Sequence, residues 1–532
     1  VGSPPDQQLS IIATRLSRYL ADEDRATHPA AVLEAIARAM IDLAQVRQIG
    51  DPLVRSLTPA DLPAHLAVLQ VATDDMPFLL DSLTAMLLSA HHDIHLVLHP
   101  QLVVRRAADG TLLDILDLDV DETLPDGTTA ESWMWVEYAL DPDMLESTAV
   151  DDDARRVLAD VRAAVSDWSA MRDRALAVAT ELEAAPPWGM PAGMVLDGVD
   201  LLRWLCNDNF TFVGYQRYDL AEPDGHPSLR PVPATGLGLL NEVHRPGMSS
   251  SRSFARLSDQ ARVLATEPRL LVITKANSRS TVHRSAYFDY IGVKRFNDSG
   301  VVVGEDRFLG LFTSNAYVQS VVTVPLLRRR YDHLAAEFGY AEGGHDAKAL
   351  LRFLETYPRD ELFQIHDADL TELCQSVMHL QGRRHTKLYV RTDDFGRFVS
   401  CLVHLPRDRY TTAVRLRMQA TLTEAYGGVS CDYTTRVSDA LLARLHFVIR
   451  VPSGQTLPEV NVADLETKIV EAARSWQDSF QGLLVNRAGD SEAGPLLRGF
   501  RSAFPEGYKE RYAPAHGVQD ALTISSLQPG EL

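Results

Sequence analysis

The chain has 532 residues, 45% of them hydrophobic and 23% charged, the balance of a folded globular protein too long for one domain; three or four are expected. Its 72 acidic and 52 basic side chains leave a formal net charge of −20, which excludes a nucleic-acid binder built on a concentrated basic face. No stretch of about 18 apolar residues is available to span a membrane, and the opening VGSPPDQQLS has no charged-then-apolar signal pattern.

Leu9, Ile12, Leu16 and Leu20, then Val32, Ile36, Met40 and Leu43, recur at helical spacing. Residues 8–48 are therefore expected to form two helices, the second starting near Pro29. From 64 to 140 the period changes. AHLAVLQVAT reads as a strand, MPFLLDSLTAMLLSA as an amphipathic helix opened by Pro77, and IHLVLHPQLVVRR as one strand. A turn at Asp109-Gly110 leads toward SWMWVEYAL, another strand, and residues 151–185 are helical, with Val157, Val161, Val165 and Trp168 near the right interval. Strand–helix–strand–strand–helix begins a ferredoxin-like βαββαβ sandwich, an antiparallel sheet with its helices on one face.

APPWGMPAGM (185–194) is a linker, rich in proline and glycine. A short helix (198–207) leads into the strand FTFVGYQRYDL, and a polar loop without a clear period follows from about 221 to 268. Strands resume at RLLVITKA and in a hairpin, Tyr287 to Phe312, whose two apolar runs flank the turn formers Asn297-Asp298-Ser299-Gly300. Helices are expected near 325–339 and 345–357. TKLYVRTD and RFVSCLVHLP are then strands, and TTAVRLRMQATLTEAY is a helix stopped by Gly427-Gly428. VSCDYTTRV and ARLHFVIRVP are two more strands before a helix at 461–484, again in a ferredoxin-like order.

The expected class is α+β and multidomain: ferredoxin-like units and an antiparallel sheet domain joined by helical segments. The boundaries read as 1–55 N-terminal helices, 56–150 first ferredoxin-like unit, 151–194 helical connector and linker and 195–340 sheet domain. They continue as 341–382 helices, 383–455 third unit and 456–532 helical motif. Cys206, Cys374, Cys401 and Cys431 are scattered, form no CxxC pair, and read as free thiols of a reducing, cytoplasmic compartment.

The chemistry-bearing motifs are few. Gly236-Leu237-Gly238 comes nearest to a dinucleotide loop, but Asn241 stands where the third glycine belongs. There is no GxxxxGK[ST], HExxH or GxSxG. His95 and His99 share a strand face and do not by themselves complete a metal site. Asp74 and Asp75, between a strand and a helix, are expected to cap the helix N-terminus; ligand-amine capture and acid–base chemistry with a nearby histidine are the other readings. Lys294 and Arg295 face Glu305, Asp306 and Arg307 across the hairpin, as cross-strand charge pairing or as a charged corner for a domain or subunit interface.

Six blocks then carry a resemblance: DDMPFLLDSL, HLVLHPQLVVRRAADG, NDNFTFVGYQRYDL, SRSTVHRSAYFDYIGVKRF, VVVGEDRFLGLFTSNAY and YPRDELFQI. In this order and spacing, over about residues 60–510, the chain resembles the N-terminal half of the bacterial large-subunit NAD-specific glutamate dehydrogenases. The resemblance implies ACT-like domains for the ferredoxin-like units and a PAS-type domain for the middle sheet, with helical motifs between them. It also implies a catalytic domain that follows in the longer polypeptide, converts L-glutamate to 2-oxoglutarate and ammonium with NAD, and works in a homo-oligomer. That catalytic portion is absent here, so no catalytic residue and no cofactor is assigned to this chain. The implied role is regulatory and oligomeric, with the chain's own catalytic domain and sister subunits as partners; the alternative is a stand-alone amino-acid sensor. By the ACT analogy, an amino-acid effector is expected at the loop holding Asp74, Asp75, Met76, Pro77 and Phe78, and secondarily at Gly427–Val429. The first loop lacks the glycine that lets a backbone approach a ligand closely.

Overall fold

The structure, a computed structural model, describes residues 5–527 except 60–61, 64, 141–146, 222–227, 244–262, 264, 380–384, 438–440, 453–456 and 501. Much of the polar loop read at 221–268 lies outside the described residues. The chain divides into two compact units, residues 1–257 with 265–329, and residues 258–264 with 330–532.

The first unit opens with helices α1 (Pro5–Ser17) and α2 (Ala30–Ala44). A sheet domain follows: β1 (Leu53–Leu57), β2 (Leu66–Asp74), α3 (Leu79–Ser89), β3 (Ile94–Leu98), β4 (Gln101–Arg106), β5 (Leu112–Leu116), β6 (Thr128–Ala139) and α4 (Ser147–Ser166). The sheet runs β1-β2-β6-β4-β5, with β3 also on β6, and every pairing is antiparallel. The run read as one strand over 94–106 breaks at His99-Pro100 into two strands that share β6 as neighbour.

The ferredoxin-like order expected as βαββαβ is realised as ββαββββα, with two strands before the first helix and four between the helices. The edge slot beside β2 is filled by β1, a strand the apolar pattern of LVRSL is too short to announce, through a local antiparallel pairing (Leu53↔Ala72). Because side chains alternate along a strand, each face of the sheet has its own core. Leu69, Val71, Met134 and Val136 pack with Leu83 of α3 and Val161 of α4, whereas Val68, Leu98, Val104 and Trp133 pack with Ile12 of α1 and Ile36 of α2.

Helices α5 (Trp168–Ala184) and α6 (Ala192–Trp204) lead into the middle sheet; the connection is 185–191, shorter than the linker read at 185–194, because the helix expected at 198–207 already starts at Ala192. Its strands are β7 (Phe210–Ala221), β8 (Ser228–Pro231), β9 (Leu237–Gly238), β10 (Leu271–Arg279), β11 (Tyr287–Phe296) and β12 (Val302–Phe312). The order is β10-β11-β12-β7-β8, with β9 on β7, all antiparallel. The hairpin of β11 and β12 thus lies at the centre of its sheet. Asn297 Oδ1 accepts from the backbone N–H groups of Ser299 and Val301, and Gly300 turns at φ 77°. One face of the sheet shares the α3/α4 core through Leu240, Phe288 and Leu309. The short helix α7 (Ser314–Val318) follows.

After α8 (Leu327–Glu337), the second unit contains α9 (His345–Thr356), α10 (Arg359–Gln364) and α11 (Asp367–His379). Then come β13 (Lys387–Thr392), β14 (Phe398–Pro406), α12 (Thr412–Tyr426), β15 (Ser430–Arg436), β16 (Leu442–Arg450) and α13 (Val462–Ala472). This is ββαββα, which also opens on two strands and a helix, in the strand order β13-β14-β16-β15. Gly427 ends α12 in the left-handed conformation, and Thr411 Oγ1 caps its start by accepting from Val414 N. The chain ends in α14 (Trp476–Phe500), α15 (Glu506–Arg511) and α16 (Pro514–Ser526), whose small core joins Phe480, Leu484, Val518 and Ala521.

Candidate functional site

The loop between β2 and α3 does not use its carboxylates as caps. Phe78 adopts a left-handed conformation (φ 72°) directly before α3, which starts without any side-chain cap, and Ser82 Oγ donates back to Phe78 O at 2.5 Å. The capping expected of Asp74 and Asp75 is therefore corrected. Both side chains, half-buried, turn to polar groups on other elements.

Asp74 accepts from Arg47 Nη2 at 2.7 Å and from Gly50 N at 2.9 Å, and lies 2.7 Å from Arg162 Nη1. Arg47, fully buried, bridges at 2.7 Å to Glu131, which also takes Arg106 at 2.6 and 2.8 Å and Trp133 Nε1 at 2.8 Å. Burial works to raise the Asp74 and Glu131 carboxyls, but the guanidiniums outweigh it, so both sit below the ordinary range. Arg47 is disfavoured by burial and held charged by the same two carboxylates. Four of these residues were missed in the sequence: Arg47, Arg106, Glu131 and Arg162. Glu131, a carboxylate leading the aromatic run ESWMWVEYAL, was the one visible sign that a buried cation had to be nearby.

Asp75 is held differently. Ser132 Oγ donates to it at 2.5 Å and Gln101 Nε2 at 3.1 and 3.2 Å, and among the described residues no cation pairs with it. His99 Nε2 lies 2.9 Å from the same Ser132 Oγ. Since the single hydroxyl proton of Ser132 goes to the carboxylate, His99 must donate there, and it cannot take a proton from Ser132. The chain of bonds fixes side chains and does not create a nucleophile. Burial depresses the His99 imidazole against the opposing charges of Asp75 and Asp81. Met76 packs against the α3/α4 core, Pro77 is exposed, and the Phe78 ring lies 5.0 Å from His283, which anchors itself on Ser82 and Asp81.

In the middle sheet only one of the expected cross-strand charge pairs is opposed in register, Lys294 with Glu305. Arg295 faces Gly304 and pairs instead with Asp219. Asp306, whose side chain alternation sends to the other face, meets Tyr215, Arg217 (3.1 Å) and Arg174 (3.5 Å). Arg307 lies between the rings of Tyr218 (3.8 Å) and Tyr290 (4.8 Å) and 3.1 Å from Glu305. Lys294, Glu305, Asp306 and Arg307 are buried within this chain, and Arg295 is half-buried. Burial pushes the Lys294 amine down to about 8 against the pull of Glu305 and Glu267.

In the second-unit loop at Gly427–Val429 only Gly428 is closely packed: a side chain there would lie 2.4 Å from Ile449, whereas Gly427 borders open space and Val429 is exposed. Its sheet has a polar second face under α9–α11. Glu361 of α10 takes Arg391 at 2.8 Å through both carboxylate oxygens and lies 3.9 Å from His446, which bonds Ser400 at 2.8 Å. Burial would raise Glu361, and Arg391 brings it to about 2. Gly236 and Gly238 also serve packing. A side chain at Gly236 would meet Leu240 O at 2.4 Å, and Gly238 N donates to Asp167. Among the described residues no group of three or more His, Cys, Asp or Glu side chains is placed to hold a metal, and no helix is long and apolar enough to cross a membrane.

Comparison with known proteins agrees with this arrangement. Residues 12–154 match the family model described as glutamate dehydrogenase ACT1 domain, 324–383 helical motif 1, 387–477 the ACT2 domain and 483–527 helical motif 2. The chain is 34% identical over 488 residues to an NAD-specific glutamate dehydrogenase of Halomonas elongata, covering 90% of this chain and 30% of that protein. Proteins of the same description from Pseudomonas aeruginosa (33% over 468 residues, 87% and 28%) and Mycobacterium tuberculosis (32% over 515 residues, 94% and 30%) are similar to it. The chain spans no more than 30% of the length of these curated relatives. The matches support the glutamate dehydrogenase family.

Proposed function

We propose that this chain is the N-terminal regulatory and oligomerisation region of an NAD-dependent glutamate dehydrogenase, with a PAS-type middle domain, and is catalytically silent by itself. The observation that carries the reading is the ordered set of ACT1, helical-motif, ACT2 and helical-motif matches in a chain that spans so small a share of its relatives. On this reading NAD and L-glutamate belong to a catalytic domain elsewhere in the longer polypeptide. That domain and sister subunits are the partners of this chain. The purified chain mixed with L-glutamate and NAD is expected to give no rise in NADH absorbance; steady turnover would refute the proposal.

The effector proposed for the loop of Asp74 to Phe78 is an amino acid, and Asp75 is the residue offered to its ammonium group. Among the described residues Asp75 accepts only from neutral donors, whereas Asp74 already faces two guanidiniums. Calorimetric titration with a panel of amino acids is expected to find a ligand whose binding Asp75→Ala weakens. An equal affinity in that variant would remove Asp75 from the role.

A further inference from the structure

Residues 280–286, which join β10 to β11 in the middle sheet, reach across to α3 and α4 beside the β2–α3 loop. Val282, fully buried, enters the core that those helices share with both sheets. Ser280 Oγ braces this turn by donating to Val282 O (2.7 Å) and accepting from Val282 N (3.1 Å).

Each of the two helices holds both loops. On α3, Ser82 Oγ donates to Phe78 O at 2.5 Å and accepts from His283 N at 2.8 Å, so one hydroxyl gives its proton to the first loop and a lone pair to the second. Asp81, one residue earlier, lies 3.0 Å from His283 Nδ1. On α4, Arg162 lies 2.7 Å from Asp74, where the first loop begins, and buried Asp160 accepts from Thr281 Oγ1 at 2.6 Å. The loops also meet directly, with the ring centroids of Phe78 and His283 5.0 Å apart. Among the described residues six non-glycine positions have positive φ, and this pair supplies two of them, Phe78 at 72° and His283 at 69°. For a side chain as bulky as Phe78 that conformation is strained, and it persists only where the surroundings fix it.

We propose that the β2–α3 and β10–β11 loops form one two-state latch: they open together, and a change of conformation at Phe78 is carried into the middle sheet. Opening releases the strain at Phe78; the shared Ser82 hydroxyl, the ring contact and the bonds to α4 oppose it. Withdrawing either loop from Ser82 or from the ring contact removes a support of the other. Two discrete arrangements balanced in this way pass a small shift at one place to another. The latch goes beyond the effector reading of Asp75. It stands without a ligand there and is tested without one.

Hydrogen exchange on the whole chain, read separately over 76–82 and 280–286, tests it. The Thr281 hydroxyl is bonded to α4 rather than to the first loop, and Thr281→Val is expected to speed exchange in both segments by about tenfold. Phe78→Ala loses the ring and keeps the strained backbone, so it too is expected to speed both. Phe78→Gly loses the same ring but adopts positive φ freely. Its exchange is expected to be about fivefold slower than that of Phe78→Ala, by one factor in both segments. The difference between those two variants acts through the backbone of residue 78, so its appearance at 280–286 is not a product of lost packing. If circular dichroism shows Thr281→Val unfolded, the Phe78 pair decides alone. An alanine-to-glycine factor confined to 76–82, a Thr281→Val effect confined to 280–286, or an equal rise over β2 and β6, the sign of whole-domain opening, would overturn the proposal.

Discussion

The six-stranded sheet of β1–β6 and the four-stranded sheet of β13–β16 cover their second faces differently: the first gathers its charges at one end, where Arg47 and Arg106 meet Glu131, and the second spreads polar groups across the face. In the first, Val68, Leu98, Val104, Trp133 and Trp135 meet the apolar stripes of α1 and α2. In the second, Ser400, His404, Arg444, His446 and Arg450 project from β14 and β16 toward α9–α11, which answer with Glu361, Thr356 and the rings of Phe353 and Tyr357. An apolar face tolerates small shifts in register of its cover, because dispersion and water exclusion are non-directional. A face joined by charge must be met group for group, and it fails steeply when one partner is lost.

The strongest way to break the second arrangement is Glu361→Ala. It leaves Arg391 buried without its carboxylate and is expected to destabilise the second unit by about 3–5 kcal/mol. Hydrogen exchange over β14 and β16 should show the loss there and not in β2 or β6. Leu98→Ala, in the apolar face of the first sheet, is expected to cost about 3 kcal/mol. Its cost should be the same at pH 5 and pH 7, as urea unfolding followed over β2 and β6 would show.

Acid acts on both sheets, through Asp74, Glu131 and His99 in the first and through His404 and Glu361 in the second. Burial, with Arg444 adding to it, brings the His404 imidazole to about 4. The unfolded chain therefore takes up a proton that the folded one refuses. Stability from this group is complete above the unfolded value of about 6.5 and falls as pH drops toward 4, by about 2 kcal/mol between pH 7 and pH 5. Glu361 adds a second loss at lower pH, complete above about 4.3 and disappearing as pH falls toward 2. His404→Phe is expected to flatten the first limb in urea titrations and leave the second. The smallest effect is expected of Asn461→Ala, which removes the side-chain cap of α13 and should cost about 1 kcal/mol in thermal unfolding.

Much of the fold was legible because its signals are local. The hairpin over Tyr287–Phe312 announces itself by two apolar runs around Asn297–Gly300, and α12 by a helical run that stops at Gly427. The loop of Asp74 to Phe78 was also visible as a place, but not as chemistry. Arg47 lies 27 residues before Asp74, and Ser132 lies 57 after Asp75, so no window of sequence holds both partners. The alternation Ser400, Leu402, His404 looks like a strand with a solvent face; only the position of α10 shows that this face is buried and what its polarity is for. β1 escaped notice for the same reason, since five residues carry too little pattern until β2 lies beside them.

The placement of β1 and β13 ahead of their sheets bears on how the chain is made. Residues of β1 meet partners in β2 that follow within 19 positions, from Leu57 with Val68 to Leu53 with Ala72. A strand placed after α4 would have had to return to β2 from beyond residue 166. Ribosomal synthesis delivers the chain from its N-terminus, and closing a short segment forfeits less freedom than closing a long one. As each sheet leaves the exit tunnel, its rim is laid down first and its centre, β6 or β16, drops in last.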